Sequence, residues 1–209
     1  MMITIQSIMR LGYKMGIGKQ AKTLTKKQCE IILSHLGTNT RNGKRNQLIF
    51  LLSTKSGLRA KEVAHLKWEM VMESDGGVGE TINLPNSSSK GNGGRIIPIH
   101  PMVKTLLVDI YSSTNPHPSN TVITSERSNS VTSQVIVNMF KGWYDEMGLI
   151  GCSSHSGRRT FITDAAKKVS QVGGSLRDIQ MMVGHTSLQT TQRYIEYDTQ
   201  SQRMLINLL

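Results

Sequence analysis

A mainly helical α+β fold with one small antiparallel β-sheet is predicted by three features of the 209-residue sequence. Apolar residues recur at helical spacing along most of the chain, two short β-prone runs flank a stretch of turn formers, and no internal repeat or low-complexity tract breaks the pattern. A chain of this length supports one good hydrophobic core, or one domain with an appendage.

The elements follow in order. In "LTKKQCEIILSHLG", Thr25 and Gln28 have capping-box spacing, Ile31, Ile32 and Leu36 form an apolar stripe, and Gly37 is placed to close the helix. "KRNQLIFLLSTKSGLRAKEVAHLKW" carries Leu48, Leu51 and Leu52 on a helical face, breaks at Gly57 and resumes with Val63 and Leu66, predicting helix, tight turn, helix. "TINLP" and "RIIPI" read as two strands, with "NSSSKGNGG" between them as a flexible hairpin tip. Helical periodicity returns in "PMVKTLLVDIY" and "SQVIVNMFKGWYDEMGL", separated by a loop and the short apolar run "TVIT". Beyond Ser156, three or four short helices are expected. One of them has Ser175 as cap, Asp178 in its first turn, Leu176, Ile179 and Val183 inward, and Gly184 as stop.

Composition narrows the partner. Lysine plus arginine outnumber aspartate plus glutamate by 25 to 14, a formal charge of +11, which makes nucleic acid the leading candidate. Aromatic residues make up only 5%, which argues for duplex phosphates over single strands gripped by stacking. Cys29 and Cys152 stand in no paired spacing, so neither a disulfide framework nor a thiolate zinc site is indicated, and a reducing cytoplasm fits. No secretory signal and no run of membrane-spanning length is present.

Four islands carry unusual polar content: "SGLRAKE" with Arg59 and Glu62, the hairpin tip with Lys90, "SSHSGRRTF" with His155 and Arg158, and "GHTSLQTTQRYIEY" with His185 and Tyr194. Taken singly they read as a solvated arginine, a solvated loop lysine, a structural pair and a packed tyrosine. Together they supply what phosphoryl transfer at a phosphodiester needs. Two guanidiniums, from Arg59 and Arg158, offer fixed paired donors for the developing charge. A tyrosine phenol forms a covalent ester once its proton is removed, with His155 as a candidate base, and a loop lysine, Lys90, suits a general acid for the departing oxygen. Arg95 is the alternative to Lys90 in the same hairpin, and Tyr197, three residues on, competes with Tyr194. No acidic cluster or histidine–carboxylate spacing indicates a metal, so a mechanism without cofactor or metal is expected.

The order "GLRAKE", hairpin lysine, "HSGRRTF", "GHTSLQTTQRY" resembles the catalytic domain of the tyrosine recombinases, the phage integrase family. Its most specific island is the last, where the tyrosine follows the histidine by nine positions. The resemblance spans roughly residues 24–197 and implies a basic N-terminal extension over 1–24, a catalytic domain over 25–197 and a C-terminal tail over 198–209 that is exchanged between protomers. It implies that Arg59 and Arg158 clamp the scissile phosphate while Tyr194 attacks to leave a 3′-phosphotyrosyl link and a free 5′-hydroxyl. Lys90 would protonate the leaving oxygen, His155 act in acid–base exchange, His185 hydrogen-bond the phosphate and Glu62 support the site. DNA contact is expected from Arg59, Arg158, Lys90, Arg159, Lys19 and Lys22. The implied partners are double-stranded DNA, a homotetramer on two DNA sites and an accessory DNA-bending protein, with a cytoplasmic, nucleoid-associated location and no membrane. The rival readings are a type IB topoisomerase-like enzyme and a regulatory DNA-binding relative without turnover.

Two departures from the family stand out. Gly157 occupies a position where many relatives have a larger apolar residue, and is expected to loosen the start of its helix. Only about two dozen residues precede Thr25, which suggests a minimal, catalytic-domain-only member or a fragment of a longer ancestor.

Overall fold

The computed structural model describes residues 20–86, 94–194 and 206–207. Helix α1, Lys26–Asn39, begins at the expected capping box, with the Thr25 hydroxyl accepting from Gln28 N and the Gln28 side chain accepting from Thr25 N at 2.9 Å. It runs through Gly37 and stops at Thr40, so the glycine does not end it. Ile31 lies 52% exposed, and the buried stripe is narrower than the sequence suggests, with Ile32 and Leu36 carrying it. The termination belongs to Thr40, which leaves the helical conformation and donates its hydroxyl to Leu36 O.

Helix α2, Gly43–Lys55, is the centre of the molecule. Leu48 to Thr54 are all buried, and α1, α4 and α6 pack around it. A helix buried all round over its last two turns is a core helix. After the turn at Gly57 comes the short α3, Ala60–Ala64, which packs against α5.

Strands β1, Thr81–Leu84, and β2, Arg95–Pro98, pair antiparallel, with Ile82 opposite Ile97 and Leu84 opposite Arg95. Ile82, Leu84, Ile97 and Arg95 face inward. The segment between the strands, including Lys90, lies outside the described residues except at its ends. Helix α4, Pro101–Thr114, starts with proline at its first position, where the absent N–H costs nothing, and His100 accepts from Met102 N at 3.2 Å. Helix α5, Ser133–Glu146, buries Ile136, Phe140, Trp143 and Tyr144, the spacing of one helical face.

Helix α6, Ser156–Lys168, is followed by a 3₁₀ turn, then by α7, Leu176–Val183, and α8, Leu188–Gln192. The capping box of Ser175 and Asp178 opens α7, and Gly184, in the left-handed region at φ 64°, closes it as expected. A second, smaller apolar cluster of Ile162, Ile179 and Val183 joins α6 to α7, and Tyr194 packs against it. Residues before α1 are tied to the α5–α6 loop and to α6: Lys22 N donates to Gly151 O at 3.0 Å and Leu24 N to the Thr160 hydroxyl at 2.8 Å. Among the described residues no helix is long and apolar enough to cross a membrane.

Gly157 corrects one expectation. It is buried where α6 meets α2, and a Cβ there would stand 2.5 Å from Ser53 Oγ and 3.1 Å from Thr54 Cγ2. The glycine permits close helix contact and does not loosen the helix start. Gly157→Leu is therefore expected to cost about 1–3 kcal/mol through overpacking, measured by urea denaturation. Wild-type stability in that variant would contradict the packing argument.

Candidate active site

Arg59 is the N-cap residue of α3, a position the helix dipole does not favour for a cation. Glu62, at the third helical position, resolves the conflict. Its carboxylate accepts from Arg59 N at 2.8 Å and from Arg59 Nη1 at 2.9 Å. The same carboxylate receives a second guanidinium: Arg95 Nη1 and Nη2 donate to its two oxygens at 3.0 and 2.8 Å. Burial pushes the Glu62 carboxyl up, but the hydrogen bonds and charges of Arg95 and Arg59 outweigh it and hold the group below the usual range.

Arg158, on the first turn of α6, is 5% exposed. Its Nη1 donates to Gly57 O and its Nη2 to Val183 O at 2.7 Å. Burial, followed by the neighbouring charge of Arg59, pushes this guanidinium down to about 9, so it remains charged at neutral pH. Three arginines thus meet the end of α7 in succession: Arg95 Nε binds Met182 O at 2.8 Å, Arg158 binds Val183 O, and Arg59 approaches Gly184 O at 3.5 Å. Terminal helix carbonyls lack intrahelical partners and carry the negative end of the dipole, so three cations there are favourable. With Glu62 as the sole anion among them, the cluster keeps an excess of positive charge facing the cleft.

That anchored helix end places His185. Its backbone is pinned by Gln180, whose O accepts from His185 N at 3.1 Å and whose side chain donates to His185 O at 2.9 Å. Its Nδ1 lies 3.0 Å from the Thr191 hydroxyl, and its ring stacks on Tyr194 with centroids 5.6 Å apart and planes 22° from parallel. Burial, then the charges of Arg158, Arg59 and Arg95, push the imidazole down to about 4, leaving it neutral at pH 7. Tyr194 follows α8, its N bonded to Thr191 O at 3.0 Å and its O accepting from Thr163 at 3.3 Å. The Arg159 guanidinium stands 5.8 Å from the centre of the phenol ring.

A cleft of about 620 Å³ gathers these groups: Arg59, His155, Arg158, Arg159, His185 and Tyr194 line it, as do Arg193 and Gln20. His155 is the exposed N-cap residue of α6, one turn before Arg158. Glu62 stands behind the cleft, buried. Lys22 is exposed beside Gly151 and does not line the cleft. Lys19, Lys90 and Tyr197 lie outside the described residues.

Arg95 does not stand where an alternative to the hairpin lysine would. As an alternative to the hairpin lysine it was expected near the substrate, yet it is 8% exposed and bound to Glu62. Its position gave a signal: Ile97 faces inward, so the residue two before it must also, and an inward arginine needs a buried carboxylate. His65 and His100 are an exposed and a helix-capping residue, away from the cleft.

The low value of His185 has a consequence for stability. Between its ordinary value of 6.5 and about 4, the unfolded chain binds the proton that the folded site refuses, so stability falls as pH falls through that window. Glu62 acts lower. Its depressed carboxyl stabilises above the ordinary carboxylate value of about 4.3, and that contribution is lost as pH falls through its folded value. Urea denaturation between pH 7 and 4 is expected to show a decline that His185→Gln flattens; equal slopes in both proteins would contradict the buried neutral imidazole.

Guanidiniums held by carbonyls and a carboxylate, two imidazoles and a phenol around one basic cleft form a site suited to holding a phosphodiester beside a tyrosine hydroxyl. The fold matches that of solved recombinase structures. The crystal structure of XerA recombinase superimposes with a TM-score of 0.66 at 21% identity over 90% of this chain and 65% of that chain. XerH site-specific recombinase bound to difH substrate gives 0.68 at 20% identity, over 88% of this chain and 53% of that one. The model of the phage integrase family matches residues 22–201, and the chain belongs to that family. Tyrosine recombinase XerA of Pyrococcus horikoshii is 30% identical over 190 residues, 88% of this chain and 60% of the relative. Tyrosine recombinase XerD of Lacticaseibacillus casei is 24% identical over 184 residues, 85% of this chain and 59% of the relative. The chain therefore spans about 60% of the length of these curated relatives.

Proposed function

We propose that the chain cleaves and rejoins DNA at specific sites through a 3′-phosphotyrosyl intermediate. The observation that carries this reading is the convergence of Arg59, His155, Arg158, His185 and Tyr194, from three separated stretches of sequence, on one cleft. Tyr194 attacks the scissile phosphorus, the bond to the 5′-oxygen breaks, and the 5′-hydroxyl leaves. Arg59 and Arg158 hold the nonbridging oxygens. His155, exposed at the rim, exchanges the tyrosine proton, and His185, neutral and uncharged, donates a hydrogen bond to the phosphate. Lys90 protonates the leaving oxygen. Attack by the 5′-hydroxyl of a second duplex reverses these steps and completes strand exchange, each step trading one phosphoester for another without metal, ATP or other cofactor.

Residues 25–197 form the catalytic unit in this reading, with 1–24 as a basic extension that adds phosphate contacts through Lys19 and Lys22. Arg159 contributes a further DNA contact at the cleft. The tail 198–209 passes to a neighbouring protomer, four protomers acting on two duplexes in the cytoplasm at the nucleoid, with an accessory protein that bends the DNA. Incubation with DNA from the source genome, denaturation, and sequencing of protein-linked fragment ends is expected to give adducts at one or a few positions. Scattered adducts would favour a topoisomerase, and DNA binding without any adduct a regulator.

A further inference from the structure

The threonine pair of "TSLQTTQRY" divides its labour. Thr190 lines the cleft, whereas Thr191, in the last turn of α8, is 0% exposed and does not line it, with its hydroxyl 3.0 Å from His185 Nδ1. Threonines inside helices commonly donate their hydroxyl to the carbonyl four residues back, and several here do: Thr54 to Phe50 O, Thr160 to Ser156 O, Thr114 to Ile110 O. Thr191 makes no such bond, and among the described residues His185 Nδ1 is the single partner of its hydroxyl.

A buried hydroxyl proton needs an acceptor, because leaving it unpaired costs about 1–3 kcal/mol. The available acceptor is the Nδ1 lone pair. A neutral imidazole carries one proton, so if Nδ1 accepts, the proton resides on Nε2. We propose that Thr191 is a positioning residue that fixes this tautomer of His185, so that Nε2–H is presented toward the cleft as a donor. The proposal rests on the reading of the cleft as a phosphodiester site.

The surroundings supply the other constraints. Gln180 holds the His185 backbone on both sides, and the stacked Tyr194 ring holds the imidazole plane. Neither chooses between the two nitrogens. In the opposite tautomer Nε2 would present a lone pair to a phosphate oxygen, which repels it. Burial, and after it the guanidiniums of Arg158, Arg59 and Arg95, disfavour the doubly protonated ring, which would donate from both nitrogens and need no tautomer control.

Two measurements test this. In the imidazole nitrogen NMR spectrum of the wild-type protein at pH 7, the His185 proton is expected on Nε2; a proton on Nδ1 overturns the proposal, whatever the variants do. In single-turnover cleavage of a duplex recovered by adduct sequencing, Thr191→Val is expected to slow cleavage about tenfold or more with unchanged DNA affinity, and Thr191→Ser to stay near wild type. In a His185→Gln background, where the amide donor has no tautomer, the Thr191→Val effect should vanish. An equal loss in both backgrounds would mean a packing role and overturn the proposal. A wild-type protein that forms no adduct would sink the functional reading, and the NMR spectrum would still decide the role of Thr191.

Discussion

Tyr194→Phe is expected to abolish covalent attachment to DNA, lowering single-turnover adduct formation by at least about 10³-fold, while DNA affinity stays near wild type. The ring of Tyr194 makes its structural contacts: it stacks on His185, receives Arg159 and packs against the apolar cluster of Ile162, Ile179 and Val183. The hydroxyl makes no hydrogen bond among the described residues, so its removal leaves the fold intact, with stability changed by less than about 0.5 kcal/mol. Loss of adduct with unchanged thermal unfolding separates a nucleophile from a packed tyrosine. Adduct at wild-type levels in this variant would remove Tyr194 from the chemistry.

The second large effect belongs to Arg158→Ala. In the proposed reaction this guanidinium holds the phosphate, and its removal is expected to slow cleavage by about 10²–10³-fold. This arginine also satisfies Gly57 O and Val183 O from a nearly buried position, linking the α2–α3 turn to the end of α7. Both carbonyls lose their donor, so stability should fall by roughly 2–4 kcal/mol, read by urea denaturation. Arg158→Lys keeps the charge but cannot span both carbonyls, and should recover stability only in part. A fully stable Arg158→Ala protein would show that the guanidinium does not hold α7 in place.

Much of the fold was legible because its signals are local. The capping box at Thr25, the Ser175 cap, the breaks at Gly57 and Gly184 and the two β-prone runs each need only a few neighbouring residues to be read. Gly37 misled because a glycine can either stop a helix or sit within one, and the decision lay with packing: α1 continues to Asn39, and a Cβ at Gly37 would meet the Gln47 side chain at 2.5 Å. Gly157 misled for a similar reason, since its role depends on Ser53 and Thr54, about a hundred residues earlier.

The site shows the same division. Arg59 and Arg158 stand out once their chemistry is taken together with a tyrosine, and the resemblance to the family marks His185 and Tyr194. What holds them does not stand out. The three-arginine contact with the carbonyls of Met182, Val183 and Gly184 involves backbone groups that carry no sequence signature. Glu62 reads from the sequence as a supporting acid, but its bond to Arg95 joins positions 33 apart, one on α3 and the other on β2, and has no local signal.

The most direct test of the central claim is the identity of the residue that becomes linked to DNA. After cleavage of a recovered duplex and nuclease trimming, tryptic digestion releases peptide 194–203, which contains both Tyr194 and Tyr197. Fragmentation in the mass spectrometer then locates the nucleotide. A nucleotide is expected on Tyr194, the first residue of the peptide, immediately after Arg193. A nucleotide on Tyr197, or on neither tyrosine, would contradict that claim.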